Sequence, residues 1–172
     1  MNNAPHSGNT KTLLIVRHAK SSWDIDTLND FERPLNERGK KDAPEMAKRL
    51  KEKNVLIDSF VASPAKRAKK TAEYFIEEYG RDKGDVVFIS KLYHAPVDVF
   101  FEVVEELQDH FNTVALFSHN PGITEFVNLL TDNIRLDNMP TCGIFSVKFQ
   151  GQWKSFQKVK KEFFFFDYPK NT

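Results

Sequence analysis

The chain lacks the features that mark secreted and membrane-spanning proteins. Its 172 residues include one cysteine, Cys142, so no disulfide can form within the chain, as is usual in a reducing compartment. No apolar stretch approaches the roughly 20 residues needed to span a bilayer. Residues 1–12 also lack the apolar centre of a signal peptide. These absences predict a cytoplasmic protein.

The chain also lacks an excess of charge of either sign. Its 25 lysines and arginines against 24 aspartates and glutamates leave a formal net charge of +1. Such a balance predicts no general attraction to nucleic acid or to a membrane surface. Any preference for an anionic ligand must therefore come from a local cluster of basic side chains.

Length and patterning predict one α/β domain. Residues 1–11 predict a flexible tail, and residues 12–172 have the size of a single domain. Apolar strands alternate with amphipathic helices, which is typical of a three-layer α/β/α sandwich with a mostly parallel central sheet. The predicted strands are 12–16, 57–62, 86–89 and 113–117. The predicted helices are 36–53, one capped by Ser63, 97–109 and one capped by Asn120.

The C-terminal part of the chain predicts an antiparallel hairpin. Residues 144–149 and 154–159 alternate between apolar and polar side chains and are joined by Gln150-Gly151-Gln152. The four phenylalanines of 163–166 predict either packing on the domain edge or a self-association surface. The protein is therefore expected to be a monomer or a homodimer.

The most informative residues are a basic pair at the end of the first predicted strand. Arg17 and His18 directly follow the apolar run of residues 13–16, which is typical of a strand buried on both faces. An unpaired buried charge is costly. The pair should therefore lie at the rim of the sheet, where an anion can reach it.

Two more basic side chains should reach the same rim. Arg67 lies in the first turn of the helix after the second strand, and His119 directly follows the fourth strand. The carboxyl ends of parallel strands meet at one edge, where helix N-termini also favour anions. Together with Arg17 and His18, they predict a pocket for a small dianion such as phosphate, whose oxygens match guanidinium groups.

Four short segments along the chain form a recognisable set. They read, in chain order, L-I-V-R-H-A-K from residue 14, R-P-L-N-E-R-G from residue 33, S-P-A-K-R-A-K-K-T-A from residue 63 and S-H-N-P-G from residue 118. This set resembles the histidine phosphatase superfamily over about residues 11–149. Within it, the short chain and the stretch R-H-A-K-S-S-W from residue 17 resemble the SixA-type phosphohistidine phosphatases. The resemblance implies a phosphoglycerate mutase-like fold.

The resemblance also implies a phosphatase that uses no metal or other cofactor and works through a covalent phosphohistidine intermediate. His18 would be the nucleophile, while Arg17, Arg67 and His119 would bind the phosphoryl oxygens. Further substrate contacts are expected from three polar residues: Arg33, Ser21 and Asn120. The implied substrate and partner is a phosphohistidine-bearing protein, such as a phosphorelay domain.

One departure from the superfamily pattern bears on the substrate. Many members carry a glutamate after the third strand as general acid, but this chain has L-Y-H-A-P from residue 92. An alkoxide leaving group needs such a donor, whereas an imidazole leaves readily once its phosphorylated form is protonated, so the absence favours phosphohistidine. If the long segment 21–38 folds over the site, a proton could come from one of three residues: Asp24, Asp30 or His94.

Other functions fit the same residues. One is a phosphatase of a small phosphomonoester, and segment 21–38, too long for an ordinary turn, should form the wall that decides between substrates. Another is a phosphate-binding module without catalysis, which would not need His18 as a nucleophile. A metal site using His18 and His119 is disfavoured, because the accompanying arginines repel a cation.

Overall fold

The computed structural model describes residues 9–24 and 29–172. Within these residues, six strands form one sheet with helices on both faces. The strands are β1 (Thr10–Arg17), β2 (Ser59–Ala62), β3 (Val87–Phe88), β4 (Thr113–Ser118), β5 (Ile144–Gln150) and β6 (Glu162–Asp167). The helices are α1 (Glu37–Glu52), α2 (Lys66–Glu78), α3 (Val97–Glu105) and α4 (Gly122–Asn128).

The sheet has the order β3-β2-β4-β1-β5-β6. Strands β1 to β4 are parallel, β5 pairs antiparallel with β1, and β6 pairs antiparallel with β5 at the edge. The predicted α/β class with a mostly parallel central sheet is therefore confirmed. In the part of the chain that the structure describes, no helix is long and apolar enough to cross a membrane.

Alternate residues of β1 pack into two separate cores. Leu13 and Ile15 lie in the core beneath α3 and α4, while Leu14 and Val16 lie in the core beneath α1 and α2. All four side chains are fully buried. Because neighbouring side chains of a strand point to opposite faces, a strand covered on both sides needs an uninterrupted apolar run.

The predicted position of the second hairpin strand is wrong. β5 does pair with an antiparallel neighbour, but that neighbour is β6 rather than residues 154–159. Trp153–Ser155 instead forms a 3₁₀ turn, and both Trp153 and Phe156 are fully buried. A spacing of three residues places both rings on one side of a helical turn, which the alternating pattern did not reveal. The phenylalanine segment thus forms the edge strand.

The sheet begins earlier than predicted. β1 starts at Thr10, so the last two residues assigned to the flexible tail belong to the first strand. The Lys11 side chain is fully buried, and its ammonium donates to the Phe111 carbonyl at 2.9 Å. A buried ammonium needs such acceptors, which a sequence pattern does not display. Residues 1–8 of the predicted tail lie outside the described residues.

Main-chain hydrogen bonds hold both ends of segment 21–38 together. The Ser22 N–H donates to the Pro34 carbonyl at 2.9 Å, and the Asn36 N–H donates to the Lys20 carbonyl at 3.0 Å. Residues 25–28 of this segment lie outside the described residues. The long segment therefore leaves and re-enters the domain at one place, beside the end of β1.

Candidate active site

Two neighbouring strands bring both predicted histidines to one edge of the sheet. In the β1–β4 pair, Arg17 lies opposite Ser118, and His18 and His119 directly follow these residues. The His18 N–H donates to the Ser118 carbonyl at 3.1 Å, which extends the ladder by one residue. The centroids of the two imidazole rings lie 5.2 Å apart. Main-chain pairing therefore fixes the distance between the rings.

The His18 ring has one protonated and one free nitrogen. Nδ1 lies 2.7 Å from the Ala19 carbonyl oxygen, and only an N–H can donate to a carbonyl, so Nδ1 carries the hydrogen. Nε2 therefore presents its lone pair, and the Arg67 Nε–H donates to it at 3.3 Å. The side chain is held in place by these two contacts.

Burial keeps the His18 ring neutral. The residue is 5% exposed. Desolvation lowers its pKa to about 3, outweighing the hydrogen bond to Ala19, which raises the pKa; the charges of Arg67 and Arg17 lower it further. At neutral pH the Nε2 lone pair is therefore available as a nucleophile.

The second histidine, His119, has a buried ring nitrogen without a hydrogen-bond partner among the described residues. His119 Nε2 lies 2.7 Å from the Ser63 hydroxyl, and Nδ1 is buried with no hydrogen-bond partner among the described residues. Burial, followed by the neighbouring His18, lowers the pKa of His119 to about 2. Buried polar atoms are nearly always paired, so Nδ1 is suited to contact a ligand.

The two arginines approach the histidines from different elements. Arg17 donates from Nη1 to the Met139 carbonyl at 2.7 Å, and its buried Nε has no partner among the described residues. Arg67 lies in the first turn of α2 and is 2% exposed. Burial is the main cause that lowers the pKa of each guanidinium. Two desolvated cations at close range favour an anion between them.

Asp30 reaches this site from the long segment. Its carbonyl and carboxylate accept from Arg67 at 2.7 and 3.0 Å, and its carboxylate also accepts from Tyr93 at 2.7 Å and from Arg33 at 3.1 Å. His94 Nε2 lies 3.2 Å from the same carboxylate. Asp30 is therefore the negative centre of a basic cluster.

The ionised form of Asp30 is stabilised by these contacts. Desolvation raises its pKa, but the Tyr93 hydrogen bond and the Arg67 charge outweigh that effect and hold the pKa well below its usual range. At neutral pH the carboxylate therefore accepts hydrogen bonds and carries no proton to give.

A cavity of about 260 Å³ opens over the two histidines. Its lining includes nine of the ten residues proposed from the sequence: Arg17, His18, Ser21, Asp30, Arg33, Arg67, His94, His119 and Asn120. The tenth, Asp24, is exposed and does not line this cavity. The guanidinium of Arg33 lies 3.5 Å from the centroid of the Trp23 ring, which also lines the cavity.

Both residues predicted as helix caps have other partners. α2 begins at Lys66 with Ala65 as its cap, and the Ser63 hydroxyl lies 2.7 Å from His119 Nε2 while it accepts from the Ala65 N–H at 3.3 Å. α4 is preceded by Pro121, and the Asn120 side chain accepts from Thr124 at 2.6 Å. A Ser-Pro or Asn-Pro pair is compatible with a cap and with a loop that carries a site residue. The two predicted caps are therefore corrected.

Sequence reasoning missed three residues that support the site. Ser63 binds His119, and Tyr93 binds Asp30. The Thr71 hydroxyl accepts from the Ala19 N–H at 2.9 Å and donates to the Arg67 carbonyl at 2.7 Å, which ties α2 to the His18 loop. Ser63 and Thr71 lie within the quoted S-P-A-K-R-A-K-K-T-A segment, whereas nothing in the pattern indicated Tyr93.

Within residues 9–24 and 29–172, no group of three or more histidine, cysteine, aspartate or glutamate side chains is placed to hold a metal ion. The cavity brings together the free Nε2 of His18, two guanidinium groups and a second imidazole. This arrangement suits a tetrahedral dianion and a nucleophilic attack on its central atom.

Comparison with known proteins places this site in a family context. The family model described as histidine phosphatase superfamily (branch 1) matches residues 13–89. An uncharacterised chloroplast protein of Arabidopsis thaliana is 29% identical over 138 residues, which are 74% of this chain and 62% of that protein. The chain thus spans about three fifths of that relative's length.

Solved structures share the fold. A structure of the protein histidine phosphatase SixA complexed with tungstate has a TM-score of 0.79 at 23% identity, covering 93% of this chain and 98% of that one. A phosphoglycerate mutase of Bacillus anthracis has a TM-score of 0.65 at 14% identity, covering 91% and 92%. The predicted resemblance is therefore confirmed: the chain carries the histidine phosphatase superfamily pattern over residues 13–89 and has a phosphoglycerate mutase-like fold shared with SixA.

Proposed function

We propose that this protein is a phosphatase that removes phosphate from phosphohistidine on a protein, through a covalent intermediate on His18. The observation that carries the proposal is the hydrogen bond from His18 Nδ1 to the Ala19 carbonyl, which leaves Nε2 unprotonated beside the Arg67 guanidinium. The family model and the shared fold with a protein histidine phosphatase support it.

In the first step, phosphoryl transfer moves the phosphoryl group onto the enzyme. Arg17, Arg67 and His119 bind its oxygens, and the Nε2 lone pair of His18 attacks phosphorus. The P–N bond of the substrate breaks, and its electron pair stays with the leaving ring. Because the other nitrogen of that ring is already protonated, it departs as neutral imidazole.

In the second step, water hydrolyses the intermediate. Water attacks phosphorus from the side the substrate has vacated, and the P–Nε2 bond breaks back to His18. Inorganic phosphate leaves with both hydrogens of the water, and the His18 ring returns to its neutral form with Nδ1–H on Ala19. The enzyme supplies positioning and charge, which are the main demands of phosphoryl transfer.

The ionised state of Asp30 supports a phosphoramidate over a phosphomonoester. An alkoxide leaving group needs a proton at the moment of cleavage, and the Asp30 carboxyl, whose pKa is held well below its usual range, carries none at neutral pH. An imidazole leaving group needs no such donor when the other nitrogen of the phosphorylated ring is already protonated. Asp30 therefore accepts hydrogen bonds in this mechanism and does not act as general acid.

The test is a rapid quench with a ³²P-labelled phosphohistidine peptide. Wild type should show label attached to protein through an acid-labile, base-stable bond, and His18→Ala should show none. The matched control is His110→Ala, because His110 is exposed and does not line the cavity. Turnover by the wild type without any labelled intermediate would contradict the covalent route.

A substrate panel tests the other half of the proposal. Hydrolysis of phosphohistidine peptide should exceed that of sugar phosphates and nucleotides in kcat/KM, and should persist with EDTA present. A higher kcat/KM for a sugar phosphate would identify the protein as a phosphomonoesterase. Binding of phosphate without turnover of any substrate would instead indicate a binding module.

A further inference from the structure

A second, larger groove lies beside the catalytic cavity. Its volume is about 450 Å³, against about 260 Å³ for the cavity over the histidines. We call it the lysine groove, and its lining comprises Phe31, Glu32, Pro64, Lys66, Lys69, Lys70 and Glu73. The small cavity suits a phosphoryl group, whereas the lysine groove has room for several side chains.

No residue lines both depressions, but their linings come from neighbouring positions of the chain. Lys66 of the groove and Arg67 of the cavity are consecutive residues of α2. On the other side, Phe31 lines the groove and follows Asp30, which lines the cavity. The Phe31 ring packs edge-on against Tyr93, with centroids 5.1 Å apart. The groove therefore lies next to the cavity along both α2 and the segment that carries Asp30.

The lining of the groove carries a net positive charge, because it includes three lysines and two glutamates, Glu32 and Glu73. Lys66 and Lys69 are exposed, and neither forms an ion pair within the part of the chain that the structure describes, whereas Lys70 pairs with Glu73 at 3.2 Å. These lysines lie at the N-terminal end of α2, where the helix dipole disfavours cations. An anionic partner would relieve this repulsion.

An apolar rim continues the groove to the edge of the sheet. The Lys69 ammonium lies 5.4 Å from the centroid of the Phe88 ring, which is 40% exposed. Val87 beside it is 51% exposed, and both belong to β3, the outermost strand on this side. Exposed apolar side chains rimmed by charge are typical of protein-binding surfaces.

We propose that the lysine groove binds an acidic segment of the protein substrate, adjacent to its phosphohistidine. The proposal rests on the proposed function and specifies which surface of the enzyme recognises the protein around the phosphoryl group. Lys66 and Lys69 attract the carboxylates of that segment, which raises the rate of encounter and lowers KM. The segment lies along the first two turns of α2 while its phosphoryl group occupies the cavity.

The test compares two synthetic phosphohistidine peptides. They share length and apolar residues, and they differ in that one carries four glutamates and the other four lysines on either side of the phosphohistidine. Wild type should hydrolyse the acidic peptide with a kcat/KM about tenfold higher than the basic peptide, mainly through KM. The difference should shrink in 0.5 M salt, because salt screens exposed charges.

Charge reversal in the groove should remove this preference. In Lys66→Glu/Lys69→Glu, the ratio of the two kcat/KM values should fall about tenfold or more. The matched control is Lys158→Glu/Lys160→Glu, which changes the net charge equally at two exposed residues that do not line the groove. The control should keep the wild-type ratio, and thermal unfolding should show that both variants are folded.

The outcomes separate this proposal from the proposed function. If wild type hydrolyses both peptides equally well, or if Lys66→Glu/Lys69→Glu keeps its preference, the docking role of the groove is overturned while the function stands. An equal loss of preference in the control variant would assign the effect to net charge and would also overturn the docking role of the groove. If wild type hydrolyses neither peptide, the proposed function falls and the docking role falls with it.

Discussion

The walls of the cavity over the two histidines are built in two different ways. The strand-end group, Arg17, His18 and His119, lies at the ends of the paired strands β1 and β4, so the main-chain ladder sets its geometry. The loop group, Asp30 and Arg33, is held by side-chain contacts, namely the Asp30–Arg33 ion pair at 3.1 Å and the bonds from Asp30 to α2. The first arrangement fixes distances for chemistry, and the second can exchange partners when an anion enters.

Removing the guanidinium that joins both groups should have the largest effect. Arg67 contacts His18 and Asp30, and in the proposed mechanism it also binds the phosphoryl group. Charge-assisted hydrogen bonds contribute about 1.5–3 kcal/mol each, so Arg67→Ala should lower kcat/KM about a thousandfold. Arg135→Ala, at an exposed residue away from the cavity, is the control. A fall in kcat/KM of less than tenfold would show that Arg67 does not bind the phosphoryl group.

Lowering the pH should destabilise the strand-end group. Burial holds the pKa of His18 near 3 and that of His119 near 2, below the ordinary value of 6.5. At a pH between the lowered pKa and the ordinary value of 6.5, each ring is protonated in the unfolded chain and neutral in the folded chain. The free energy of unfolding is therefore highest above pH 6.5 and falls as the pH drops, by up to about 1.4 kcal/mol per pH unit for each ring.

Urea unfolding at pH 7 and pH 5 measures this effect. The difference between the two free energies of unfolding should shrink in His18→Gln and in His119→Gln, since glutamine does not titrate in this range. A pH dependence unchanged by both substitutions would show that neither ring is held neutral by burial.

The hydrogen bond between Ser63 and His119 should contribute less to the rate than the contacts to the phosphoryl group. Ser63→Ala removes the hydroxyl 2.7 Å from His119 Nε2, and one such hydrogen bond contributes about 0.5–1.5 kcal/mol. We expect kcat to fall about tenfold with little change in KM, and Ser63→Thr to restore part of the loss. An unchanged kcat in Ser63→Ala would mean that the ring needs no positioning.

A second buried serine provides the matched control. Ser146 is fully buried on β5, and its hydroxyl has no hydrogen-bond partner among the described residues. Ser146→Ala should therefore leave kcat unchanged and leave the thermal midpoint equal or higher, because an unpaired buried hydroxyl is unfavourable.

The smallest effect is expected from the loop group. In Asp30→Asn the carboxylate no longer competes with an incoming anion for Arg67, so tungstate should bind about threefold to tenfold more tightly, as measured by calorimetry. The isosteric change keeps the bonds from Tyr93 available. Weaker tungstate binding would instead show that Asp30 orients Arg67, and the two groups would then act as one unit.

The same contrast explains what the sequence could predict. The position of His18 follows from the buried run before it, because a strand of residues 13–16 must end at a rim. Its position next to His119 follows from the shared edge of parallel strands. Residues placed by strand ends were therefore within reach of sequence reasoning.

Residues that are placed by tertiary contacts could not be predicted from the sequence. Ser63 fits a helix cap as well as a support for His119, and only the fold decides between the two. Tyr93 reaches Asp30 across 63 positions of the chain, which no local pattern records. The edge strand β6 was missed because the buried rings of Trp153 and Phe156 look alike in a strand and in a 3₁₀ turn.

The hydrogen bonds that close segment 21–38 at its base, Ser22 to Pro34 and Asn36 to Lys20, have an evolutionary consequence. A segment anchored at both ends can lengthen or shorten at modest entropic cost, because loop-closure entropy grows slowly with length. Insertions between the anchors would change the residues beside the cavity while His18 keeps its place at the end of β1. Selection can thus alter which ligands the cavity admits by changing this one segment and leaving the strands beneath it as they are.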